Sequence, residues 1–228
     1  MLNKIVITYL IADGFLALCG GLILTSALIS KFRLQQSQEQ GQTIDNVAQF
    51  LLLERSPLDI AVTNASAIFL TFVISIPAIL LRQNRIWLKL HGWTVVLSAL
   101  FTLCLGLYLW FQTLTTRTLA GKWWAEQGAQ VQSLLQSKWN CCGYLDSTSP
   151  PFQIDSTCPT FLAAALKDGC VGPFSSFVNK YLDIAFTSLF GIVGVHVIVL
   201  LCIAMVLEDS KERARYNSID LKNGFGSI

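Results

Sequence analysis

Two adjacent cysteines, Cys141 and Cys142, precede Gly143 in the stretch KWNCCGY. Thiols in such a pair could bind a metal, exchange disulfides or form structural bridges. Two more cysteines follow, Cys158 and Cys170. Four thiolates could hold zinc, but the spacing has no C-x2-C knuckle, so metal is not expected. A bond between the neighbours is disfavoured, because a disulfide needs Cα atoms roughly 4.4–6.8 Å apart and a suitable torsion. Two connectivities remain, and in both Cys141 and Cys142 each bridge to one of Cys158 and Cys170. Gly143 allows a sharp turn just after the pair.

Two polar residues stand out elsewhere. Asp13 and His196 each lie in a long apolar run, where an ionisable side chain is costly and marks a functional site by default. Asp13 shares a helical face with the small residues Ala17, Gly21 and Thr25, a series that lets another helix approach closely. At about 1.5 Å per residue, Asp13 lies roughly 13 Å from Lys4 and His196 roughly 18 Å from Glu208, so their depths differ by about one turn. Either the two form a polar pair, or each bonds the backbone or a hydroxyl of a neighbouring helix. No nucleophile with a base, no His-rich cluster and no metal spacing is visible, so an enzyme is not expected.

The elements that position these residues follow from composition. Of 228 residues, 53% are hydrophobic and 13% charged, against about 25% charged in a soluble domain. Four runs can span a bilayer, which takes about 20 apolar residues: 5–30, 58–81, 86–113 and 184–207. Pro77 is expected to kink the second. The net charge of +2 and the lack of a dense basic block exclude nucleic-acid binding.

Short basic segments mark the cytoplasmic side of a membrane. Arg82, Arg85 and Lys89 fall at the turn between spans two and three, and Lys211, Arg213 and Arg215 follow span four. The inner segments carry eight Lys/Arg against four acids, the outer ones eight against nine with Asp59 included. That predicts a cytoplasmic N-terminus (1–4), a small outer loop (31–57), a cytoplasmic turn (82–85), a large outer loop (114–183) and a cytoplasmic tail (208–228). All four head cysteines then share one outer loop, where an oxidising compartment favours disulfides. The membrane is the plasma membrane or an endosomal or vacuolar one.

Within the large loop, Leu119, Trp123, Val131, Leu134, Leu135 and Trp139 recur at helical spacing, opposite Lys122, Glu126, Ser133 and Gln136. One amphipathic helix over 114–139, continuing span three, is predicted, weakened at Gly121 and Gly128. Phe174, Phe177, Val178 and Tyr181 predict a second helix that opens near Pro173 and runs into span four. The turn-rich segment between them, with Pro150, Pro151 and Pro159, cannot bury a core unaided. Disulfides must hold it, each contributing about 2–4 kcal/mol.

This combination resembles the tetraspanin family over the whole chain: four spans, a short outer loop, a tight basic inner turn, and Cys141-Cys142-Gly143 with two later cysteines, the last just before the final span. The resemblance implies an all-α membrane protein with a mostly helical large extracellular loop. It implies nested bridges, Cys141–Cys170 and Cys142–Cys158, and a scaffold that gathers other membrane proteins laterally, by homo- or hetero-association, through a variable head at about 144–169. No catalysis or cofactor comes with it. Some members hold a sterol between the spans, lined by polar residues of the first and fourth, where this chain has Asp13 and His196. The head here is short, and the acid often found in the third or fourth span of animal members is missing. The short chain and Gln-rich first loop look like fungal tetraspanins, some of which serve appressorium-driven host penetration. The alternative is a sterol-binding or small-solute transport protein, although transport wants more polar lining than Asp13 and His196.

Smaller signals remain. Cys202 is the first candidate for palmitoylation, then Cys19 and Cys104. Asn64-Ala-Ser is a glycosylation sequon, expected unmodified within the second span. Tyr216-Asn-Ser-Ile resembles a tyrosine-based endocytic signal.

Overall fold

The computed structural model describes residues 4–80 and 85–222. Eight helices occupy most of them: α1 (Lys4–Gln40), α2 (Val47–Arg55), α3 (Leu58–Leu80), α4 (Arg85–Leu114), α5 (Thr116–Ala125), α6 (Ala129–Trp139), α7 (Phe161–Ala165) and α8 (Val171–Lys222). No strand occurs among the described residues, only an isolated bridge between Thr148 and Pro151. Helices α1, α3, α4 and α8 are long and apolar enough to cross a membrane. Met1–Asn3, Leu81–Asn84 (with Arg82 of the basic turn) and the end of the tail lie outside the described residues.

The helices overrun their apolar runs. From Lys31 to Gln40 no glycine or proline interrupts α1, and glutamines are fair helix formers. It stops before Gly41, whose φ of +82° is the left-handed conformation that ends many helices. Helix α8 likewise continues through the expected tail to Lys222. There Lys211 pairs with Glu208 and Arg213 with Asp209 at helical spacing, which supports an exposed helix. Pro173 lies in its first turn, two residues after Val171. Helix α3 passes through Pro77 unbroken.

One element is added and one expectation is corrected. The region 31–57 contains α2, whose Val47, Ala48 and Leu51 are fully buried. It ends at Ser56, held extended (ψ 141°) because Pro57 disfavours a helical residue before it. The single helix expected over 114–139 is three pieces. Thr115 (φ −118°, ψ 20°) separates α4 from α5, and extended Gly128 (ψ 160°) starts α6.

The chain forms two compact units. One comprises Met1–Thr25, Ile60–Leu105 and Ser188–Ile228; the other comprises Ser26–Asp59 and Gly106–Thr187. The first packs Tyr9, Leu16, Ile68, Val95, Ile192 and Val199 into a core. Its close approach of α1 to α3 falls at Gly20, where a Cβ would lie 2.7 Å from the Ile68 Cγ2. The expected series through Gly21 and Thr25 is offset by one residue, about 100° around the helix, and Thr25 is exposed, its hydroxyl donating back to the Gly21 carbonyl at 2.9 Å. Leu18, Leu22, Leu70, Leu97 and Leu201 face outward.

The second unit is built on aromatic rings. Trp124 is fully buried and meets Tyr144 and Phe174 at centroid distances of 5.8 and 6.2 Å. Trp139 packs on Phe174 at 5.5 Å. The first turns of α8 thus cover α5 and α6. Tyr144 is locked in place, since its hydroxyl donates to the Arg117 carbonyl at 2.5 Å. A Cβ on Gly121 would lie 2.8 Å from the Tyr144 ring. Gly121→Ala gains about 1 kcal/mol of helix propensity, but overpacking a fixed ring costs about 1–3 kcal/mol. A lower thermal midpoint for this unit is therefore expected, read by proteolysis of residues 144–169 along a temperature series. An unchanged or raised midpoint would mean that the ring moves freely.

Candidate functional site: a stapled head and two buried polar clusters

Helix α6 ends at Asn140, in the left-handed conformation (φ 53°, ψ 47°). That turn aims the next two cysteines away from the helix and apart from each other. Cys141 bonds Cys170 with a Cα separation of 5.1 Å, and Cys142 bonds Cys158 at 6.0 Å. The pairing is the nested one that the family resemblance implies. Backbone bonds run alongside: the amide of Cys142 donates to the Asp168 carbonyl (3.1 Å), that of Cys170 to Gly143 (3.0 Å) and that of Val171 to Tyr144 (2.9 Å). Gly143 has φ +73°, and a side chain there would strike the Asp146 carbonyl and come within 3.1 Å of the Pro150 carbonyl. No other residue fits.

The centre of the head is Gln136, expected on the polar face of its helix but fully buried. Its amide nitrogen donates to the Gln153 carbonyl (2.9 Å) and to Asp155 Oδ2 (2.8 Å). Its oxygen accepts from the amides of Gln153 (3.0 Å) and Gly143 (3.3 Å). Both donors and both acceptor sites of one side chain are used. Asp155 also accepts from the Ser133 hydroxyl (2.9 Å) and from the amides of Thr157 and Cys158 (both 2.7 Å). One turn earlier on α6, Gln132 donates to the carbonyls of Trp124 and Gln127 and accepts from the Gln153 amide group. The glutamines at i and i+4 were the sequence signal for this face.

Two ionisable groups of the head are shifted. Burial pushes the Tyr144 phenol up to about 12. The hydroxyl and amide of Thr148 hold the Asp146 carboxyl below the usual carboxylate range.

The polar residues of the long helices form two clusters within the first unit. The structure does not pair Asp13 with His196. Asp13 faces His91 of α4, with Oδ1 3.5 Å from Nε2, and His91 Nδ1 is 2.8 Å from the Tyr9 hydroxyl. With Tyr9 donating, the ring proton sits on Nε2 and points at Asp13. At 3.5 Å this contact is longer than a normal hydrogen bond, and neither atom has a hydrogen-bond partner among the described residues. His196 instead meets the Ser98 hydroxyl (3.1 Å) and the Ile192 carbonyl (2.9 Å). Beside it, the Thr102 hydroxyl lies 2.8 Å from the Asn64 carbonyl oxygen. His91 is missing from the sequence reading because it stands close to the basic turn. Asn64, noticed only as a sequon, is fully buried.

Of the three cysteines named as lipidation candidates, Cys202 packs in the core of the first unit and is buried, Cys19 is half-buried, and Cys104 is exposed. No group of three metal-ligating side chains occurs among the described residues. The features define an all-helical chain with four helices long and apolar enough for a membrane and a head closed by two nested disulfides. No family model matches the chain, and neither a curated protein nor a solved structure matches it.

Proposed function

We infer that the chain is a tetraspanin-like membrane organiser, which binds other membrane proteins through its head and through the outer faces of its long helices. The observation that carries this reading is the surface of the head. Around the disulfide core, Leu145, Ile154, Phe161, Leu162 and Leu166 are all exposed, Leu166 to 83%. Apolar side chains gathered on a small, covalently stapled scaffold are what a protein-binding surface requires. The outward leucines of α1, α3, α4 and α8 support insertion in lipid, where such faces are at no disadvantage. The distribution of Lys and Arg supports cytoplasmic termini and a head on the opposite side of the membrane. His196 is engaged by Ser98 and the Ile192 carbonyl, and Asp13 faces His91 instead, which weakens a sterol site built on that pair.

The test is a mild-detergent pull-down of the full-length chain. Other membrane proteins are expected to co-purify, and Ile154→Ser, Leu162→Ser and Leu166→Ser together are expected to remove most of them while both disulfides remain. An unchanged partner set, or solute flux through liposomes containing the pure protein, would overturn the reading.

A further inference from the structure

A cavity of about 460 Å³ lies within the second unit, walled by α2, α6, α8 and Ser30 of α1. That volume falls in the range of small-molecule sites, about 300–1,000 Å³, which are mostly apolar with a few placed polar groups. Its walls are apolar: Leu52 and Leu53 of α2, and Phe177, Tyr181 and Ile184 of α8. Its rim is charged, with Lys138, Lys180 and Asp45. Two ammonium groups against one carboxylate leave the rim net positive.

The two lysines are in different states. Lys138 donates to the carbonyls of Ile44 (3.1 Å) and Asp45 (2.6 Å), which fixes the α1–α2 connection as one edge of the groove. Lys180 makes no hydrogen bond or ion pair with any described residue. An apolar channel with an unpaired cation at its mouth matches an amphiphile with one anionic end. A carboxylate gives that ammonium a charge-assisted partner; a hydroxyl gives it a weaker, neutral one. A groove of that size suits a single acyl chain.

We propose that this groove binds a single-chain fatty carboxylate, with its tail against Leu52, Phe177 and Ile184 and its carboxylate on Lys180. The site needs no partner protein and stands apart from the exposed apolar surface of the head.

The probe is myristate bearing a diazirine near the tail end, photolysed with the full-length protein in liposomes. Adducts are expected on the peptides of α2 and the start of α8, competed by myristate and about tenfold less by its methyl ester. Lys180→Gln is expected to lower labelling about tenfold, and Ile184→Trp to lower it by filling the tail space. Protease resistance of residues 144–169 confirms that each variant is folded. Equal competition by the methyl ester, labelling unchanged in both folded variants, or adducts confined to the outward faces of α1, α3 and α4 would each overturn the proposal.

Discussion

Gln136→Leu is expected to open the head while both disulfides stay oxidised. Leucine is of similar size and equally suited to a helix, so neither a cavity nor a propensity change explains the result. What is lost is polar. The amides of Gly143 and Gln153, the Gln153 carbonyl and one bond to Asp155 all lose their partner at once. A buried polar group left unpaired costs about 1–3 kcal/mol. Allowing for groups that reach water as the loop lifts, a loss of about 3–5 kcal/mol is expected, beyond the usual range for one substitution. Limited proteolysis should cut within residues 144–158, and a non-reducing mass measurement should still show two bridges. Gln136→Glu tests the chemistry separately. It keeps the acceptor but sets a second carboxylate against Asp155, so it should be as damaging near neutral pH and milder in acid. Full protease resistance in Gln136→Leu would mean that the bridges alone shape the head.

Removing a bridge is the second large effect. Cys141→Ser and Cys142→Ser should each release the head, with loss of about 2–5 kcal/mol, and leave the helicity of the four long helices intact. The two should differ in extent. Cys142 and Cys158 form the small buried cluster with Ala164, so Cys142→Ser frees the segment 144–158 and its loop. Cys141→Ser leaves the bonds of Cys170 to Gly143 and of Val171 to Tyr144 in place, so protection across 142–158 should fall less. Hydrogen exchange of the loop amides, with far-ultraviolet circular dichroism as the control, separates the cases. Equal protection in both variants and the unaltered chain would refute the stapled head.

How much of this was legible in the sequence differs by residue. The four apolar runs follow from composition, because helices of that length and hydropathy have few alternatives. The commitment of Cys141 and Cys142 to later cysteines follows from local geometry. Helix lengths did not, since α1 continues on polar residues until Gly41 stops it. Helix α2 went unseen because nine residues offer little periodicity and Asn46 makes no side-chain cap bond. Gln136 reads as a surface residue, and only the arrival of Gln153, Asp155 and Gly143 around it makes burial favourable. Whether Asp13 meets His196, or each finds a partner on another helix, was open in the sequence because rotation of a helix about its axis decides which groups meet, and depth along the chain does not fix rotation.

The carboxylate of Asp155 has a consequence for biosynthesis. It holds the amide of Cys158 on one oxygen and Gln136 on the other. Cys158 is thereby seated against the end of α6 by contacts that involve nothing beyond residue 158. A growing chain exposes Cys141, Cys142 and Cys158 before Cys170 has been made, at a synthesis rate of about 5–20 residues per second. Three thiols would otherwise have an ambiguous choice during that interval. The docked loop presents Cys158 to Cys142 by contacts in which Cys170 takes no part. The seating of the loop, and not the oxidant, then sorts the two neighbours.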